Sequence, residues 1–431
     1  MLDRLLNAPA WEKLTVLALL AGGALARLAW LVRAQNLAPY LSESHHVGVS
    51  LARSGQFADP FGIVTGSTAH VGMLTPLPSA AVYWLLGADT RLAEFALSLW
   101  SLAIVLLGIW FCWRLACALE VPRIARLGAV AFAAIVPLQF KLELREGRNW
   151  EVNLAVLLLV YILLRVIVAD KEASATSRWL FVTGAIAGLL FIVSPPAGLA
   201  AAVTVGLFQY MNFPPRRWWI APAAFAIVVC LFTGVWAERN LRVFDAPIAL
   251  RDNLGLELAI SNYQGAVHPS DSLAAYVGRL KELHPIQSDA ALAAMRMAGG
   301  EVKYYRQLGI KAREWIFAHP LDFSLLSARH FFQFYFPPLW FWYGYGPLGL
   351  MAALQQFLLW AAAAFGICRL AFMAWRQRGY AYLLAAMVAC SLPYVVIQPT
   401  LRYRYLVSAL LIFLAFDGLA RAAQYVMYRR A

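Results

Sequence analysis

The sequence predicts an all-α polytopic membrane protein of about ten transmembrane helices, with juxtamembrane helices in the first outer loop and a small helical outer cap. Three observations predict it. Of 431 residues, 62% are hydrophobic and 14% charged, and the mean hydropathy is +0.64, a balance foreign to soluble domains. Apolar windows of roughly 17–25 residues, the length that crosses about 30 Å of hydrocarbon, recur along the chain. Two long polar stretches interrupt them, about Ala34–Thr90 and Trp236–Phe341. They suit an aqueous chamber set against a lipid face, which a bare channel would not need.

The first span reads Leu14–Leu31. It is too long for a cleaved signal segment and no small-residue cleavage site follows, so it is expected to be an uncleaved anchor. Further spans are expected at Ala93–Leu115, Leu127–Phe140, Val152–Val168, Leu180–Ile192, Ala197–Met211 and Trp218–Trp236. Three more close the chain at Pro347–Ala371, Tyr380–Ile397 and Tyr405–Tyr425. The window Gly72–Gly87 is short and carries Pro76 and Pro78 near its start. Treated as an interfacial helix, with Tyr83 and Trp84 in the headgroup belt, it leaves five basic segments on one side: Arg114–Arg126, Asp170–Arg178, Pro214–Arg217, Arg376–Arg378 and Arg429–Arg430. That side is then cytoplasmic, and both termini with it. Glu43, Glu151 and the 236–341 stretch fall outside. The expected organisation is a core over 1–240 that includes the first outer loop (34–90), an outer cap over 241–341, and C-terminal spans over 342–431.

The net charge of +13 partly restates this topology and does not call for a nucleic-acid partner. The five cysteines lie in or beside apolar spans, without paired or zinc-type spacing. Asp417 and Arg165 read as isolated or near span ends, and Arg27 as lying in the outer third of the first span.

The candidate site residues sit in the outer loops. Glu43 stands in Leu41-Ser-Glu-Ser-His-His, just before or in the first turn of a helix that Gly55 can end. A carboxylate there can simply complement a helix dipole; it can also be a base at the membrane surface. His45 and His46 could be ligands, a proton relay, or plain interfacial side chains. The run Thr65-Gly-Ser-Thr-Ala-His70 is turn chemistry that also offers N–H groups and an imidazole to a phosphate. Glu151 opens the span after the loop Lys141–Glu151, where it could meet Glu43. Arg239, Arg242 and Arg251 follow the seventh span, and arginine suits bidentate phosphate contact. Arg402 and Arg404 open the last span and could close the chamber with two more cations. The pattern Tyr304–Phe317 reads as a cap helix.

In this order the segments resemble the GT-C superfamily of membrane glycosyltransferases, closest to the bacterial branch related to protein O-mannosyltransferases and the lipid A aminoarabinose transferase. The motifs that carry the likeness are Ser42-Glu-Ser-His-His-Val, Ser50–Phe61, Thr65-Gly-Ser-Thr-Ala-His-Val, Asn149-Trp-Glu, Glu238-Arg-Asn-Leu-Arg-Val-Phe, Leu250-Arg-Asp-Asn-Leu-Gly-Leu-Glu-Leu, His319-Pro and Arg402-Tyr-Arg. The likeness runs from about Leu14 to Tyr425. It implies Glu43 and Glu151 as catalytic acids, and a binding set of His46, His70, Arg239, Arg251, Asn253, Glu257, Arg402 and Arg404. It also implies a seven-span core, a bacterial plasma (inner) membrane, a polyprenyl-phosphate sugar donor, and a glycan, lipid or protein acceptor. Two departures stand out. Many relatives carry Asp-Glu or Asp-x-Asp where this chain has Ser42 and a lone Glu43, which leaves no cofactor required and a divalent metal open. Many carry Arg-Pro after the fifth span, where Ser194-Pro-Pro stands here.

The chemistry follows from the residues as well. A polyprenyl phosphate is a good leaving group and needs cations rather than a strong acid. An acceptor hydroxyl or amine needs one base on the opposite face of the sugar, and Glu43 is placed for it. That pairing gives direct displacement with inversion. A transporter or lipid flippase would place ionisable groups mid-span and show repeats. A silent glycolipid-binding relative would keep the chamber without the chemistry.

Overall fold

The computed structural model describes residues 8–33, 37–145, 150–345 and 349–430. Among them the protein is helical, with a single isolated bridge between Ala58 and Ser67. Six helices are long and apolar enough to cross a membrane. These are α1 (Ala10–Leu31), α4 (Arg91–Ala118), α6 (Trp150–Glu172), α9 (Ile220–Phe244), α16 (Leu350–Ala374) and α18 (Leu401–Arg430). Shorter apolar helices complete the bundle: α5 (Arg123–Ile135), α7 (Ser177–Val193), α8 (Pro195–Asn212) and α17 (Arg378–Ser391). The first polar loop forms α2 (Glu43–Ser54) and α3 (Leu77–Leu86). The other polar stretch folds into α10 (Leu254–Ser261), α11 (Gln264–Val267), α12 (Ser272–Leu283), α13 (Asp289–Met297), α14 (Glu301–Ala318) and α15 (Pro320–Tyr335). The residues Asn149 and Pro347, which opened an expected motif and an expected span, lie outside the described residues.

Small residues let the spans approach where lipid gives no hydrophobic drive. Gly184 and Gly188 sit one turn apart on α7 and face α9. A Cβ on Gly184 would lie 2.5 Å from the Ala221 carbonyl oxygen, and one on Gly188 2.8 Å from that of Phe225. Gly23 serves α1 against α5 in the same way, with Ala134 O 2.6 Å from its virtual Cβ.

The two ends of the bundle collect different segments. At one end, Lys171 pairs with Glu120 at 2.5 Å, Arg378 with Asp170 at 3.7 Å, and Arg421 donates to Glu120 O at 3.1 Å. Three of the five basic segments, Arg114–Arg126, Asp170–Arg178 and Arg376–Arg378, are joined by these contacts. At the other end, both polar stretches meet: His284 lies 3.5 Å from Glu43, and Arg251 3.8 Å from Glu151.

Three expectations are corrected here. Leu127–Phe140 ends as a helix at Ile135, and residues 141–145 form a π-turn instead. Tyr83 does not sit in a headgroup belt: it is 3% exposed, with its hydroxyl donating to Glu94 at 3.0 Å and paired with His45 Nδ1 at 2.9 Å. Its neighbour Trp84, 73% exposed, keeps the outward position. Asp417 is not isolated, since Arg369, Arg421 and Tyr380 all donate to its carboxylate, at 2.5, 3.0 and 2.8 Å. A charge this deep persists only when its partners satisfy it.

Candidate functional site

At the end where the polar stretches meet, the chain leaves a partly open groove of about 430 Å³. Its lining is partly apolar, from Ile192 and Val193 of α7 to Leu254, Ile397 and Leu406. It also carries Glu151, Arg251, Asn253, Glu257 and Arg402. Five residues expected at the site from distant parts of the chain thus line one cavity. Each position has a local cause. Glu151 stands in the first turn of α6, Asn253 is the N-terminal flank of α10 with Glu257 in its first turn, and Arg402 opens α18. Ser194-Pro-Pro supplies an uncharged stretch of the lining.

The cations are held loosely. Arg251 is 39% exposed and pairs with Glu151 at 3.8 Å. It lies so close to Gly72 that a Cβ there would sit 3.3 Å from Nη2. Among the described residues Arg402 reaches the Tyr403 hydroxyl, at 3.4 Å, and lies over that ring, 5.2 Å from its centroid. Its charge also acts on Glu43 and Glu257. Burial raises the Glu257 carboxyl, with Glu43 adding to the rise while His284, Arg402 and Arg251 oppose it.

Beside the groove stands another cluster. Ser42 caps α2 by accepting from the His45 N–H at 3.3 Å, which places Glu43 in the first turn. Glu43 Oε1 faces His284 Nε2 at 3.5 Å and His70 Nε2 at 4.0 Å. His70 is held from behind by the Tyr305 hydroxyl, 3.0 Å from Nδ1. Burial pushes His70 down to about 3, Glu43 opposing and His284 and Arg251 assisting, so its imidazole is neutral at physiological pH. Burial raises the Glu43 carboxyl, but His284, His70, its backbone hydrogen bond and Arg402 outweigh it, and the net shift is downward. Glu43 is therefore a carboxylate at neutral pH.

One ligand atom from each of Glu43, His70 and His284 can be chosen within 4.8 Å of the others. Two imidazoles and a carboxylate form a donor set that suits a zinc-type ion better than magnesium. Among the described residues no contact joins Glu43 to Glu151, which has Arg251 as its partner.

Three expected ligand residues are employed elsewhere. Arg404 is fully buried and donates to Ser408 Oγ at 2.8 Å and Leu359 O at 3.0 Å, tying α18 to α16. Two positions along a helix turn a side chain through about 200°, so Arg402 and Arg404 cannot serve one cavity. Arg239 donates to Thr68 O, Phe57 O and Asn240 Oδ1 at 2.8, 3.1 and 2.7 Å, inside a cage of Phe57, Trp236 and Phe244 rings. It fastens the first loop. His46 packs on Gly62, whose virtual Cβ would lie 2.9 Å from its ring, and does not line the groove. His319 stacks on Trp315 at the turn between α14 and α15, exposed.

His284 and Tyr305 escaped the sequence reading. The only trace His284 leaves is its place before Pro285 at the end of an amphipathic helix. Tyr305 has the sequence pattern of an ordinary core aromatic.

No protein-family model matches the chain, and no curated protein matches it. Solved structures do. The archaeal oligosaccharyltransferase AglB from Archaeoglobus fulgidus, in complex with an inhibitory peptide and a dolichol-phosphate, aligns at 15% identity and a TM-score of 0.48 over 98% of this chain and 52% of its own. Its apo form aligns at 16% identity and 0.48 over 96% and 51%. ArnT from Cupriavidus metallidurans in the apo state aligns at 12% identity and 0.35 over 95% and 78%. The chain spans about half the length of the oligosaccharyltransferase chains it matches.

Proposed function

We propose that this chain is a membrane glycosyltransferase of the GT-C kind, moving a sugar from a polyprenyl-phosphate donor to an acceptor on the outer face of a bacterial inner membrane, with inversion. The observation that carries the reading is the groove itself. Apolar side chains line it together with Arg251 and Arg402, and the ionised Glu43 carboxylate lies near enough for the Arg402 charge to act on it.

In this reading the lipid tail lies along Ile192, Val193, Leu254 and Leu406, and the phosphate meets Arg251 and Arg402. Glu43 takes the proton of the acceptor hydroxyl or amine. The freed lone pair attacks the anomeric carbon from the face opposite the phosphate. The bond to the phosphate oxygen breaks and the phosphate keeps the electron pair. Glu151 holds Arg251 in place. Burial raises the Glu257 carboxyl, which lessens the repulsion between it and a phosphate in the groove. Glu43, His70 and His284 are the residues that would hold a divalent ion, whose chemistry there would be Lewis acidity toward the acceptor.

The test is transfer of label from a radiolabelled polyprenyl-phosphate sugar in membranes, wild type against Glu43→Gln. Full transfer by the variant would remove Glu43 as the base. Lipid movement across the bilayer with no sugar transfer by the wild type would favour a transporter. The sidedness rests on the basic segments, and a cysteine at position 120 labelled from the outer face would reverse it.

A further inference from the structure

Beneath the first loop lies a pair of buried acids that the proposed chemistry does not use. Glu301, in the first turn of α14, reaches across to the first loop. Its Oε2 accepts the Thr68 hydroxyl at 2.8 Å and its Oε1 accepts the Ala69 N–H at 2.5 Å. The Thr68 hydroxyl oxygen in turn accepts the His70 N–H at 3.0 Å. Asp252, the residue after Arg251, donates its own N–H to Ala69 O at 3.2 Å. The segment 68–70 is therefore gripped from both sides, and each grip is one residue from a group of the site.

The Asp252 side chain poses a problem of satisfaction. Both of its carboxylate oxygens are buried and neither receives a hydrogen bond from any donor among the described residues. A buried carboxylate without donors is not sustainable. Asp252 and Glu301 bond opposite sides of the same residue, Ala69, the Glu301 charge acts on Asp252, and both Glu301 oxygens already accept from donors. A neutral Asp252 acid, donating to an ionised Glu301, resolves both sides.

We propose that Asp252 and Glu301 share one proton, and that this carboxyl pair is the clasp that seats His70 and Arg251 against the cap. Both are positioning residues, since neither touches the groove. The assignment does not depend on which reaction the groove performs.

The surrounding charges agree with the polarity of the pair. Burial, followed by the Glu301 charge, pushes the Asp252 acid well above the ordinary carboxylate range. Burial raises Glu301 too, against the Ala69, Thr68 and Asp252 hydrogen bonds and the charge of Arg239 on α9. Tyr305 faces both acids from α14, its hydroxyl raised by burial first and then by Asp252 and Glu301. Arg251 precedes Asp252 in the loop, and His70 follows the gripped pair.

The sign of the linkage follows. Asp252 has a folded value above its ordinary 3.8, so the folded state holds the proton longer than the unfolded one. Its contribution to stability is complete below that ordinary value and is lost as pH rises through the folded value.

The experiment uses the full-length protein in detergent, comparing unfolding temperature between about pH 5 and pH 9 for wild type, Asp252→Asn and Glu301→Gln. Limited proteolysis of the 56–75 loop is followed in parallel. Asparagine copies the neutral acid, so Asp252→Asn should fold and should gain on the wild type by several degrees as pH rises. Loop cleavage should accelerate with pH in the wild type and stay level in Asp252→Asn. Glu301→Gln loses an acceptor and should be less stable at every pH. Parallel curves for wild type and Asp252→Asn would overturn the shared proton. So would an Asp252→Asn that fails to fold, because the neutral isostere must be tolerated if the acid is neutral. A Glu301→Gln as stable as wild type would remove the clasp.

Discussion

The membrane core and the groove both carry arginines beside carboxylates, yet they use them differently. In the core, Arg27 donates to Glu143 at 2.8 Å and to Ala133 O at 3.1 Å, and also bonds Ala134 O, leaving it fully buried. At the end of the bundle away from the groove, Arg126 likewise gives Glu12 two bonds at 2.8 Å and one at 3.0 Å, and Trp113 adds another at 3.0 Å. In the groove, among the described residues, Arg251 has one acid at 3.8 Å, and Arg402 has a 3.4 Å contact to the Tyr403 hydroxyl and lies over that ring. The lesson is that an arginine's availability is measured by the partners it already has. Arg402 and Arg404, two positions apart on one helix, fall on opposite sides of that line.

Four substitutions sharpen or break the contrast, the largest effect first. Glu43→Gln should lower sugar transfer by about 10²–10⁴-fold, the usual worth of a general base, while protein yield and unfolding temperature hold. A comparable loss of yield would make Glu43 a structural acid. Arg27→Met strands Glu143 in the bundle and should cost about 3–5 kcal/mol, read by denaturation in detergent. If it proved neutral, the core pairs would be as dispensable as surface ones. Arg251→Lys keeps the charge and loses the planar fork, so donor KM should rise about tenfold or somewhat more, with stability unchanged. An unchanged KM would take Arg251 out of phosphate binding. Arg242→Ala removes an exposed pair with Glu238; it should change stability by less than about 0.5 kcal/mol and leave transfer untouched. A larger effect would show that exposure is a poor guide in this region.

The sequence made the fold legible where hydrophobicity and charge act locally. The apolar windows, a short helix within Gly72–Gly87 and the cap helix from Tyr304 all follow from such patterns, and α3 and α14 stand there. Gly55 ends α2 with a φ of 70°, as its place after a helical pattern implied. The site was legible in part. Arg251, Glu151 and Arg402 share a groove because each stands where a polar segment meets a span, and spans can be counted. His284 and the Asp252–Glu301 pair were hidden because their meaning lies in partners more than two hundred residues away for two of them. Arg239 and Arg404 were misassigned for the converse reason. Nothing in a sequence shows how many carbonyls will surround a guanidinium.

The bonds of Arg404 to Leu359 O and Ser408 have a mechanical consequence. They pin α18 against α16 within one turn of Arg402, so the last helix cannot roll about its axis without breaking them. Arg402 is thereby indexed to the bundle like a pointer on a keyed shaft. A change in bilayer thickness that tilted α16 would then be transmitted to the groove as a displacement of its charge.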